Sequence, residues 1–97
     1  MSILNQESFT KALNSTFSIE FPDQTIDLKL VECLDQTSEA MPDFIRFSLL
    51  FETQGPFFEQ AMYPLEHSEL GTNELLLVPV HGDDKGFQYE AIVNYKK

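Results

Sequence analysis

The stretch YPLEHSELG, residues 63–71, places Glu66, His67 and Glu69 close together in a chain with two histidines. A carboxylate beside an imidazole can hold a transition metal or pass a proton. Either task requires the side chains to converge. In an extended strand, adjacent residues point to opposite faces. Glu66 and His67 then diverge, and His67 shares a face with Ala61, Tyr63 and Leu65. The spacing favours a structural histidine bonded to a backbone carbonyl at a sheet corner. The alternative reading is a small-molecule-binding or metal-assisted enzyme site at a barrel mouth near Tyr63, Glu66 and His67.

His81 precedes Gly82-Asp83-Asp84. A calcium loop needs more oxygen donors at fixed spacing, so this segment reads as a solvated hairpin tip. Cys33 is the one cysteine, which excludes an intramolecular disulfide and a cysteine-based zinc site. Its place in a strand predicts a small packed hydrophobe rather than a nucleophile. The chain has no Gly-x-Ser-x-Gly, no phosphate-cradling glycine loop and no His-x-His. The expectation is no catalytic residue, no cofactor and no metal.

Gly55-Pro56-Phe57-Phe58 raises a different possibility. If the backbone is extended after Pro56, the two rings point to opposite sides. One then packs into the barrel end and the other lies exposed among Glu52 and Glu59; the alternative, which the residues favour, packs both rings into an irregular loop. Phe57 and Phe58 are therefore the candidate partner contacts.

These residues must be positioned by short strands. Residues 4–13 carry Phe9, Ala12 and Leu13 at helical spacing, with Asn14-Ser15 as a stop. Everything after reads as strand, from about 16 to 95. TFSIEF alternates, Pro22-Asp23 turns, and TIDLKLVECL alternates again. Residues 35–43 form a polar loop. DFIRFSLLF, QAMYPLEH, NELLLVPV and FQYEAIVNY supply four more strands, with HGDDKG as a hairpin connection. NELLLVPV is apolar on both faces, which predicts a strand covered on both sides. Pro64 and Pro79 predict an edge position or a bulge. Six strands without crossover helices imply a mostly antiparallel sheet. The predicted architecture is mainly β. It is a small antiparallel barrel or two-layer sandwich over 1–97, one domain, with the N-terminal helix plugging one end.

Composition narrows the partners. Sixteen acidic residues against six basic ones give a net charge of −10, with nine Phe and no Trp. Phosphate neutralisation needs a basic face, so nucleic acid is disfavoured, as is an anionic membrane surface. A basic protein partner is allowed, and a second copy of the chain is the other option. The first ten residues lack the basic flank and apolar run of a signal peptide, and no apolar stretch approaches a membrane span. The default is a cytoplasmic protein, with leaderless incorporation into an exported assembly as the variant.

The ordered set FSLLF (47–51), Gly55-Pro56, Gln60, YPLEH (63–67), LG (70–71), LVPV (77–80) and YEAIVN (89–94) resembles a small bacterial family, domain of unknown function 6916. The leading helix, Phe17-x-Ile19 and the run LKLVE at 28–32 fit its first half, so the resemblance covers nearly the whole chain. Asn14-Ser15 stand where members often have glycine, and Leu76 and Val93 where they often have Phe. The family carries no established catalytic residues, so none transfers. The resemblance implies an association with phage-tail-like or tail-collar fibre genes. The functional expectation is a non-enzymatic interaction or accessory module of a larger bacterial assembly, whose partner is a fibre or tail-like protein.

Overall fold

The computed structural model describes residues 6–36, 39–40 and 43–96, with the side chains of 95 and 96 outside the description. One helix and six strands follow in order: α1 (Gln6–Lys11), β1 (Thr16–Phe21), β2 (Gln24–Asp35), β3 (Phe44–Thr53), β4 (Ala61–His67), β5 (Gly71–Asp83) and β6 (Gly86–Lys96). The strands close into an antiparallel barrel in the order β1-β2-β3-β6-β5-β4. The choice between barrel and sandwich is thereby settled.

The helix is shorter than the sequence pattern predicts. Part of that prediction, residues 4 and 5, lies outside the described residues. At the other end the chain tightens after Lys11: Ala12 N–H donates to the Phe9 carbonyl at 3.0 Å and Leu13 N–H to the Thr10 carbonyl at 3.3 Å. Asn14 then takes a positive φ of 68°, a conformation Asn tolerates better than most residues. The predicted stripe is present, with Phe9 and Ala12 buried and Leu13 packed against the core. Two turns of helix have no stability of their own, so docking this stripe is what forms α1.

The period-two alternation of β1 and β2 matches their burial, with Phe17, Ile19, Ile26, Leu28 and Leu30 inward. Pro22 and Asp23 connect the pair Phe21–Gln24 as a two-residue turn. β3 pairs with β6 along its entire length, from Phe44 opposite Lys96 to Thr53 opposite Phe87. β5 divides its pairing. Its first half, Gly71–Leu77, lies along β4, and its second half, from Val78, lies along β6. The register slips between Pro79 and His81, so Pro79 marks a bulge as its missing N–H requires. The bulge also lets the strand run on through His81–Asp83, residues the sequence pattern assigns to a connection. The turn shrinks to Asp84-Lys85.

The barrel closes thinly. β1 and β4 meet through one backbone pair, Ser18 opposite Glu66. Continuing that register would set Glu20 opposite Pro64, whose nitrogen carries no hydrogen, so the ladder stops there.

One expectation about β5 fails. Leu75 and Leu77 are buried, but Leu76 is 43% exposed and its cross-strand partner Met62 58% exposed. The strand is covered on its inner face alone, because the barrel is a single layer and the helix sits at its end.

Gly86 fits a tight approach. A Cβ at this position would lie 2.3 Å from the Thr53 carbonyl oxygen, and φ is +142°. Gly86→Ala should destabilise the domain by about 2 kcal/mol or more, through backbone strain and displacement of the β5–β6 hairpin. Urea denaturation monitored by circular dichroism checks this.

Candidate functional site

Glu66 and His67 point apart, as strand geometry dictates: Glu66 is exposed and His67 half-buried. The histidine bonds differently from the expectation. Its Nδ1 accepts two backbone N–H groups, from Glu69 at 3.0 Å and Leu70 at 3.2 Å, so it bonds amides and not a carbonyl. Two amide hydrogens aimed at Nδ1 leave the ring proton on Nε2. Nε2 lies 2.8 Å from Ser15 Oγ. The Ser15 hydroxyl in turn donates to the Ala12 carbonyl. The imidazole thus ties the turn after β4 to the turn after α1. The ring also packs on Phe17, with centroids 4.5 Å apart. A sequence pattern reports neither contact, because Ser15 and His67 are distant in the chain.

Tyr63, Glu66 and His67 do not converge. Tyr63 faces the opposite end of the barrel, where its hydroxyl donates to the Glu59 carbonyl at 2.7 Å. Burial raises the Tyr63 phenol above its ordinary range, and the Glu59 carboxylate adds to the rise. Among the described residues no group of three or more His, Cys, Asp or Glu side chains is placed to hold a metal. No buried side-chain nitrogen or oxygen among them lacks a hydrogen-bond partner.

His81 and Asp83 lie on the exposed hairpin, as expected. His81 Nε2 is 3.2 Å from Asp83 Oδ2, and Asp83 Oδ1 accepts the Lys85 N–H at 2.8 Å. That backbone bond, with His81 second, holds the Asp83 carboxyl below the usual carboxylate range. The arrangement shapes a turn. Cys33 is half-buried against the core, with the Thr10 hydroxyl 3.6 Å from Sγ. Burial pushes the thiol up, the Thr10 contact opposes this, and the Asp35 carboxylate raises it further.

The Phe57-Phe58 loop divides as the extended backbone predicts. It begins with a cis Gly55-Pro56 bond. Phe58 is 7% exposed and stacks on Tyr89, with centroids 4.0 Å apart and planes 3° from parallel. The Phe58 N–H donates to the Tyr89 hydroxyl at 2.9 Å, and that hydroxyl donates to the Phe58 carbonyl at 2.8 Å. Both backbone groups of a buried loop residue are satisfied by one phenol, a role the sequence pattern does not reveal. Phe58 therefore belongs to the core and leaves the set of surface candidates. Phe57 is 52% exposed, its ring edge-on to Phe87 at 5.4 Å and near Tyr89 at 6.3 Å.

A groove of about 900 Å³ opens beside this loop, between β2 and the β5–β6 hairpin. Asp27, Glu52, Pro56, Val80, Asp83 and Phe87 are among the residues lining it. Tyr63, Glu66 and His67 do not contribute. The groove exists because β2 and β3 part company: their pairing begins at Lys29 opposite Glu52. Beyond Thr53 the chain bends away through Gly55, leaving Gln24–Leu28 paired on one side, to β1.

Fold and site together define a small closed antiparallel β-barrel with an aromatic interior, a half-buried histidine bonded between two turns and an open groove. The chain belongs to the family described as Domain of unknown function (DUF6916), whose model matches residues 4–93. No curated protein and no solved structure matches it. No helix among the described residues is long and apolar enough to cross a membrane.

Two outcomes follow from this geometry. His67→Ala should lower stability by about 2 kcal/mol, since amide acceptors and ring packing are lost together. His67→Asn should recover part of that loss, because an Asn oxygen can accept the Glu69 N–H in an Asx-type turn. Chemical denaturation measures both. A transition metal bound near one per chain and released by either change would refute the structural role.

Cys33 should react with iodoacetamide more slowly in the folded chain than in urea at neutral pH, since the raised thiol holds less thiolate. The gap should close as pH rises through the thiol's range. Equal rates near neutrality would contradict it.

Proposed function

We propose that this domain is a non-enzymatic interaction module, an accessory or structural part of a larger bacterial assembly such as a tail-like or fibre-like one. Phe57 carries the reading. A large apolar ring stands half out of the surface on a loop whose next residue is clamped into the core by Tyr89. An anchor already held in one pose loses little freedom on binding. Aromatic anchors of this kind supply much of the affinity of protein interfaces. The surrounding chemistry agrees. The loop is flanked by Glu52 and Glu59, and the chain carries a net charge of −10, which favours a basic partner. The polar side chains weighed for catalysis are spread over both barrel ends and the hairpin tip, without a shared focus.

Replacement of each ring separates the two roles. Phe57→Ser should leave stability nearly unchanged and weaken capture of the partner from the native host. Truncating an anchor costs about 2 kcal/mol or more of affinity. Phe58→Ser should destabilise the fold by about 3 kcal/mol or more. Capture should weaken as salt rises, because exposed charges are screened over about 8 Å at physiological ionic strength. Capture unchanged by Phe57→Ser would remove this loop as the interface, and indifference to salt would replace a charged partner with an apolar one.

A further inference from the structure

We infer that the groove beside β2 takes an extended, basic segment of a partner protein, which adds as a strand to the free edge at Gln24–Leu28. This rests on the reading of the domain as an interaction module and names the mode of binding and the chemistry of the partner.

The edge can be read residue by residue. Leu30 N–H points toward β1, donating to the Ser15 carbonyl at 3.2 Å. Backbone groups alternate sides along a strand, so those of Leu28, Ile26 and Gln24 also face β1. The N–H and C=O groups of Thr25 and Asp27 therefore face the opposite way, into the groove. Among the described residues β3 pairs with β2 only from Lys29 onward, so no ladder covers those groups. Such a row of donors and acceptors matches one kind of ligand in spacing, another extended polypeptide. The far wall is formed by the β5–β6 hairpin, whose Gly86 lies close against Thr53.

Side chains specify the sequence. Ile26 and Leu28 point into the barrel from this edge, and Phe87 and Pro56 line the groove. Alternate residues of an added strand would meet this apolar side. The others would face outward with Asp27 and Asp83. Asp27, Glu52 and Asp83 line the groove against Lys29 and Lys85, so the lining carries an excess of negative charge, and Lys29 stands opposite Glu52 across the β2–β3 ladder. Phe57 is outside the lining, but its ring packs against Phe87, which lines the groove. The best occupant thus alternates apolar residues with Lys or Arg. A second copy is the weaker occupant, since it brings another −10 of net charge to the same place.

The test uses a short fluorescent peptide of alternating Val and Lys, with the whole chain. Anisotropy should show binding that weakens with salt, and amide shifts should centre on Thr25, Asp27 and the hairpin. Methylating alternate peptide nitrogens, which blocks strand pairing, should abolish it. Asp27→Pro removes an outward N–H while leaving the bonds to β1, and should reduce affinity about tenfold, a loss on the scale of one well-made hydrogen bond. Asp27→Lys keeps the backbone and should weaken binding and flatten its salt dependence. If Asp27→Pro fails to fold, the methylated peptide and Asp27→Lys still decide. Equal binding of the methylated peptide, or shifts confined to another face, would overturn strand addition. If strand addition fails while Phe57→Ser still abolishes capture from the host, the interaction module stands and only its mode is wrong.

Discussion

The single backbone pair between β1 and β4 is the constraint on which the rest of the molecule depends. A barrel without a zipped seam is an open sheet with two exposed edges. Pro64 forbids extending the ladder past Ser18 and Glu66, so side chains must close it. They do so on both flanks. On one side Phe17 packs on His67, which reaches Ser15. On the other, Phe21 meets Tyr63 at 5.7 Å and Phe58 at 5.9 Å. Aromatic area replaces hydrogen bonds as the closing force, which explains why so much of the core is Phe. Phe9 extends the same stack from the helix, with Phe47 at 5.9 Å and Phe17 at 6.2 Å.

The order and kind of the elements were legible because one face of each strand is buried and the other wet. Alternation in TFSIEF and in the residues around Phe47–Phe51 fixes both strand and facing. The division of Phe57 from Phe58 was legible only on the condition of an extended backbone, since the residues favour packing both rings into an irregular loop. The two-sided apolar run in β5 misled, because hydrophobicity marks what can be buried and not what is. Leu76 and Met62 face outward together. His67 was placed correctly on its face, but its partners are the amides two and three residues on and a serine far along the chain. Local patterns carry no information about such pairs. The groove was illegible for a related reason: it arises where two strands stop pairing, and both strands read as continuous.

Rigidity and openness sit side by side in this barrel. Tyr89 fixes the loop carrying Phe57 through two hydrogen bonds from one hydroxyl. A few residues away the same loop leaves one edge of Gln24–Leu28 without a ladder. The bend at Gly55 produces both features, turning the chain from strand into the aromatic corner before it could cover the edge. An apolar anchor and a bare backbone edge next to each other share a single structural origin.

The ladder between β3 and β6 has a consequence for how the chain is made. It is the longest in the barrel and joins Phe44–Thr53 to the last strand. During synthesis β3 emerges early and must wait for its main partner until β4 and β5 have also left the ribosome. The β1–β2–β3 meander and the β4–β5 hairpin can form as they appear, but the β3–β6 ladder that unites them cannot. A distant pairing of this kind slows folding. For that interval one edge of β3 stands unpaired, and a net charge of −10 opposes contact between neighbouring copies.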